Sequence, residues 1–137
     1  MSLGQCRLLD LSTVVDSRGR LTYIESGRHI DFDIRRVYYM YDLEDGATRG
    51  GHAHLRLQQL MIAIFGELDV TLDDGHEKRT FRLATPSCGL MVGQMVWRTV
   101  KSLSAHSVCC VLASEPYDEA DYVRDYSAFL DAARRLA

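Results

Sequence analysis

His52 and His54 are separated by one residue. Alternate side chains of a strand share a face, so the two imidazoles project the same way from any strand that carries them. A pair of imidazoles on one wall of a small barrel can share a metal ion. It can also act as a pair of proton carriers, because neutral imidazole titrates near pH 6.5. Arg49 stands just before the pair, and Gly50-Gly51 lies between. A guanidinium in that place can grip a phosphate or carboxylate bidentately.

The elements that must position these residues read as short strands. Leu8 to Val15 is followed by a turn at Ser17-Arg18-Gly19-Arg20 and a strand from Leu21 to Glu25. Ile34 to Leu43 is β-rich, and Gln58 to Phe65 is a nearly continuous apolar run ending at Gly66. Leu68, Val70 and Leu72 alternate with polar residues, the pattern of a strand buried on one face. Asp73-Asp74-Gly75 is a hairpin signal, since glycine supplies the positive φ such turns require. Further strands fit Gly89 to Val92, Met95 to Val100 and Val108 to Ala113. Turns every eight to twelve residues indicate a sandwich or barrel. Tyr122, Tyr126, Phe129, Leu130, Ala133 and Leu136 break the pattern with helical spacing. They predict a C-terminal helix from about Asp118, with Asp118 as its N-cap.

The 137 residues suit one domain spanning 1–137. Net charge is −3, from 16 basic and 19 acidic residues, which argues against a nucleic-acid partner. No apolar window is long enough to span a membrane, and the N-terminus lacks the charged and apolar regions of a secretory signal. Cys6, Cys88, Cys109 and Cys110 form no C-x-x-C pair; they read as reduced residues of a cytoplasmic protein rather than a zinc site. Fourteen of the basic residues are arginine, against only Lys78 and Lys101.

The stretch from Gly46 through His52 and His54 to Gly66 resembles the first motif of the cupins, jelly-roll β-barrels. Gln58 and Gln59 stand where that motif carries a glutamate. The stretch that would hold the second motif, Gly89 to Val100, contains no histidine, and His106 lies beyond it. Two imidazoles and a neutral amide are a poor set for a divalent ion, so neither a metal nor another cofactor is expected.

More specifically, Arg36-Val-Tyr38-Tyr39, Arg49-Gly-x-His52-Ala-His54, Leu72-Asp73-Asp74-Gly75, Gly89-Leu-x-Val92-Gly93, Val96-Trp97 and Leu112-Ala113-Ser114-x-x-Tyr117-Asp118-Glu119-x-Asp121-Tyr122 follow one another in order. Together they resemble the sugar 3,4-ketoisomerases that act on dTDP-4-keto-6-deoxyglucose, a family that includes WxcM-like domains. The resemblance implies an all-β cupin barrel with a C-terminal helix. It implies an isomerase that moves a keto group from C4 to C3 of a dTDP-linked sugar through an enediol. It also implies a homodimer in which strands pair or exchange between subunits. On this resemblance His52 is the carbon base and His54 the oxygen-side proton carrier. Tyr39, grouped by alternation with Val37 and Tyr41, is the expected phenol near the sugar oxygens. Arg49 is the expected partner of the pyrophosphate, with Arg98 and Arg20 as further substrate contacts and Trp97 bordering the sugar or thymine.

Other classes remain open to the same residues. A non-catalytic nucleotide-sugar-binding cupin would use the same pocket without a titrating pair. A sugar 3,5-epimerase would rely on a His–Asp dyad, and a metal cupin would lose activity with chelator.

Overall fold

The computed structural model describes residues 3–136; Met1, Ser2 and Ala137 of the expected 1–137 domain lie outside the described residues. Two five-stranded antiparallel sheets pack face to face. The first holds, in spatial order, β1 (Arg7–Asp10), β9 (Cys88–Val92), β6 (Gln59–Phe65), β11 (Ser107–Ala113) and β4 (Arg36–Leu43). The second holds β12 (Tyr122–Val123), β5 (Thr48–His54), β10 (Trp97–Ser102), β7 (Leu68–Asp73) and β8 (Lys78–Leu83). A separate hairpin, β2 (Ser12–Asp16) with β3 (Gly19–Tyr23), forms a third sheet. This is the expected all-β, cupin-type architecture. The run from Leu8 to Val15 is broken at Leu11, so that its two halves join different sheets.

The core lies between the large sheets, where Met61, Leu90 and Val111 of the first meet Leu68, Val70, Leu72 and Val100 of the second. Strand β6 is apolar at both parities because both of its faces are covered. Met61 and Ala63 point into the sandwich, while Leu60 and Ile62 pack outside it against Ile30 and Phe32. The hairpin from β7 to β8 turns at Gly75, whose φ of 93° is the left-handed conformation glycine adopts freely. Asp73 and Asp74 cap that turn by accepting the backbone N–H groups of Gly75, His76 and Glu77.

The C-terminal helix, α1, spans Tyr126–Arg135 and not the region from Asp118. Asp118 is a genuine cap, but of a single 3-10 turn at Glu119–Asp121. The helix has its own cap, Asp125, which accepts the N–H of Ala128. Tyr122, expected on the helix, lies instead in β12, paired with β5 opposite His54. Phe129 and Ala133 bury the helix against Ala53 and Met95 on the outer face of the second sheet. No described helix is long and apolar enough to cross a membrane.

Candidate active site

Inward-facing side chains of both sheets converge on a cavity of about 420 Å³ at one end of the sandwich. β4 contributes Arg36 and Tyr38, β5 contributes His52, β10 contributes Arg98, and β12 contributes Tyr122. Local backbone irregularity places His52 there. The pairing of β5 with β10 slips between Arg98 and Thr99, leaving Arg98 opposite His52 and Thr99 opposite Gly50. Gly50 has φ of 96°, and a Cβ there would stand 2.8 Å from the Arg98 carbonyl oxygen. Only glycine lets the two strands approach so closely at this bulge.

His52 and His54 both face the interior, with ring centroids 4.9 Å apart and planes nearly perpendicular. Only His52 borders the cavity; His54 lies behind it, fully buried. The Nδ1–H of His54 donates to Asp121 Oδ2 at 3.2 Å. Asp121 is itself 2% exposed and also accepts the backbone N–H groups of Arg56 and Leu57, at 2.7 and 3.3 Å. An ionised carboxylate has only acceptors, so the proton sits on Nδ1 of His54. Nε2 of each histidine is buried with no protein partner among the described residues. Burial, then the positive charges of Arg98 and Arg124, lowers His52 from 6.5 to about 4. Burial, then the positive charge of Arg98, also lowers His54. Both rings are therefore neutral at physiological pH, each with a bare Nε2.

Gln59, and not Gln58, takes the place of the glutamate of the cupin motif: it faces inward and is fully buried. Its Oε1 accepts from Arg98 Nη1, and its Nε2 donates to Tyr38 Oη at 3.0 Å. Arg98 is 1% exposed and remains charged, although burial lowers its pKa to about 10. A guanidinium bonded to the would-be ligand repels a dication, and one nitrogen of His54 is already committed. The donor set does not fit a metal ion, and among the described residues no three His, Cys, Asp or Glu side chains form a metal-binding group.

The remaining expected site residues divide. Arg49 borders the cavity and makes no ion pair among the described residues. Tyr39 touches the cavity margin, but its ring turns to the outer face, 62% exposed and 5.9 Å from that of Tyr41. Tyr38 is the phenol that points inward, because inward parity on β4 belongs to Arg36, Tyr38 and Met40. Trp97 lies on the face of β10 opposite Arg98. It packs against Tyr126 and Phe129 at 5.2 and 5.6 Å, so it docks the helix and does not line the cavity. Arg20 lines a different depression, with Thr22, Ile62, Ile64 and Pro86, and is not gathered with the histidines of its own chain.

Several residues of the site escaped the sequence reading. The Tyr122 ring lies tilted against both imidazoles, 5.0 Å from His52 and 4.3 Å from His54, and the Arg124 guanidinium lies over it at 4.3 Å. Arg124 is held by both oxygens of Glu119. Arg36 sits between the rings of Tyr38 and Tyr117, with Nε and Nη2 unpartnered among the described residues. Its parity with Tyr38 was the available signal. Nothing local marks Asp121, whose partner is 67 residues away.

Comparison with known proteins gives a consistent answer. Residues 4–134 match the family model described as FdtA: WxcM-like, C-terminal. A TDP-4-oxo-6-deoxy-α-D-glucose-3,4-oxoisomerase of Aneurinibacillus thermoaerophilus is 41% identical over 123 residues, covering 90% of this chain and 88% of the relative. The crystal structure of QdtA, a sugar 3,4-ketoisomerase of Thermoanaerobacterium thermosaccharolyticum in complex with TDP, superposes with a TM-score of 0.94 at 38% identity, covering 98% of each chain. A 3,4-ketoisomerase of Helicobacter canadensis superposes with a TM-score of 0.91 at 36% identity, covering 94% of this chain and 97% of its own.

Proposed function

The chain belongs to the FdtA, WxcM-like C-terminal family, and on that premise we propose that it moves the keto group of TDP-4-keto-6-deoxyglucose from C4 to C3. The observation that carries this reading is the neutral His52, which borders a cavity that also receives Tyr38, Arg49 and Arg98 and whose Nε2 has no protein partner among the described residues. Nε2 takes the C3 proton, and the electron pair forms the C3–C4 double bond while the C4 carbonyl oxygen becomes an enediolate oxygen. A proton passes from the C3 oxygen to the C4 oxygen. The His52 imidazolium then returns a proton to C4, leaving a ketone at C3. No atom is gained or lost, and no external oxidant is consumed.

The buried positive charge of Arg98 favours the enediolate over the neutral ketone. His54 lies behind His52, so the oxygen side falls to the phenol of Tyr38, and His54 supports the base from the rear. Arg49 is exposed enough to meet the diphosphate. The His54–Asp121 pair is the kind of dyad expected of an epimerase, but in this chain it is not the pair that meets the cavity.

The working unit is a homodimer. β4 is an edge strand of the first sheet and exposes Val37, Tyr39 and Tyr41 on its outer face. The separate hairpin exposes Val14, Val15 and Leu21. An apolar edge of this kind is ordinarily covered. A monomeric mass by light scattering at micromolar concentration would count against the dimer. The four free cysteines suit a reducing, cytoplasmic setting.

The direct test is incubation with TDP-4-keto-6-deoxyglucose in deuterated buffer, with product identified by NMR. A 3-keto product labelled at C4 and unlabelled at C5 is expected. Label at C5 would indicate an epimerase, and binding without conversion would indicate a non-catalytic module.

A further inference from the structure

Gln59 is fully buried between a fixed cation and a phenol, and the chemistry of its neighbours determines which way its amide faces. A guanidinium carries donors only, so the amide atom bonded to Arg98 Nη1 is the oxygen, Oε1. Arg98 itself is held by a second bond, from Nη2 to the Val96 carbonyl at 2.9 Å. The amide nitrogen must then face Tyr38 Oη, 3.0 Å away. An amide nitrogen only donates, so the Tyr38 oxygen accepts at that contact. Its own proton has to point elsewhere. Among the described residues the hydroxyl makes no other hydrogen bond, and the residue lines the cavity.

We propose that Gln59 is a positioning residue: anchored by Arg98, its amide turns the hydroxyl proton of Tyr38 into the cavity, where Tyr38 donates to the sugar oxygens at C3 and C4. The inference rests on the ketoisomerase reading of the cavity and adds a direction to it. Negative charge develops on those oxygens as the enediolate forms, and a donor aimed there in advance needs no reorganisation during the reaction. Burial raises the Tyr38 pKa above its ordinary value, which keeps the phenol protonated at neutral pH. A glutamate in the same place would have the opposite effect. It would accept from Arg98 and from Tyr38 together, drawing the hydroxyl proton away from the substrate.

The test is Gln59→Glu, which keeps the side-chain size and the bond to Arg98 while reversing the polarity toward Tyr38. Its kcat should fall about a hundredfold, the usual loss of one oxyanion donor, with TDP affinity held within about twofold. Tyr38→Phe should lose a similar amount. The double variant should be no slower than Tyr38→Phe, since residues acting as a unit are not additive. A Gln59→Glu enzyme with wild-type kcat, or losses that multiply in the double variant, would overturn the inference. If the buried carboxylate prevents folding, Gln59→Met removes the donor while preserving volume. That variant should also lose kcat, toward the level of Tyr38→Phe, and a folded Gln59→Met with full kcat would equally overturn it. Failure of the wild-type protein to convert TDP-4-keto-6-deoxyglucose would instead refute the ketoisomerase reading.

Discussion

Asp121 joins backbone and ring through its two carboxylate oxygens: Oδ1 accepts the N–H of Arg56 at 2.7 Å, and Oδ2 accepts both Nδ1–H of His54 at 3.2 Å and the N–H of Leu57 at 3.3 Å. The same side chain thus fixes the chain immediately after β5 and the tautomer of a histidine on it.

Asp121→Asn keeps the shape but offers one acceptor oxygen in place of two. Either Arg56 N–H, or His54 Nδ1–H together with Leu57 N–H, then faces an amide NH₂. Leaving one such buried donor unpaired costs about 1–3 kcal/mol, so denaturant unfolding should show a loss of that order. kcat should fall with KM nearly unchanged, because His54 does not border the cavity. Full stability together with full kcat would show that the pair contributes nothing.

The pH dependence follows from the lowered histidine values. The proposed base, His52, could take a proton only when neutral, and burial holds its pKa at about 4 rather than 6.5. kcat/KM should therefore be flat through pH 6.5 and decline only toward pH 4; an ascending limb at 6.5 would contradict the burial argument. Stability has the corresponding sign. Between pH 6.5 and 4 the unfolded chain binds protons at this ring that the folded chain refuses. Stability should be unaffected by this ring above pH 6.5 and should fall as pH drops through that window. His52→Asn should flatten that slope.

Arg49→Ala should raise KM far more than it lowers kcat. A charge-assisted contact to a diphosphate is worth about 1.5–3 kcal/mol. Steady-state kinetics check this, and an unchanged KM would make Arg49 structural.

Trp97→Ala should act on stability and leave KM alone. Its ring packs on Tyr126 and Phe129, so truncation loosens the helix at a cost of about 3 kcal/mol. A selective rise in KM would return Trp97 to the substrate pocket.

The strands and the shared face of His52 and His54 were legible because strand parity is strict. The hairpin at Asp73-Asp74-Gly75 was legible because its turn chemistry is local. Parity alone was not enough on β4, where tyrosine occurs at both parities. The set that alternation groups with Tyr39, Val37 and Tyr41, faces outward on an edge strand, and Tyr38 takes the inward place expected of Tyr39. Tyr122 was misread for a related reason: its spacing to Tyr126 and Phe129 continues the helical pattern. Pairing of Tyr122 and Val123 with His54 and Ala53 of β5 outweighs that local periodicity. The roles of Asp121 and Gln59 depend on contacts between distant strands, which no local pattern carries.

The most direct test of the account is solvent exchange of the substrate's C3 proton in the His52→Asn variant, followed by NMR in deuterated buffer with chelator present. The wild-type enzyme should exchange and convert the sugar under those conditions. The variant should bind TDP with near-normal affinity while C3 exchange stops. Exchange at the wild-type rate without His52 would contradict the proposed base, and wild-type activity that vanishes with chelator and returns with a divalent ion would contradict the proposed chemistry.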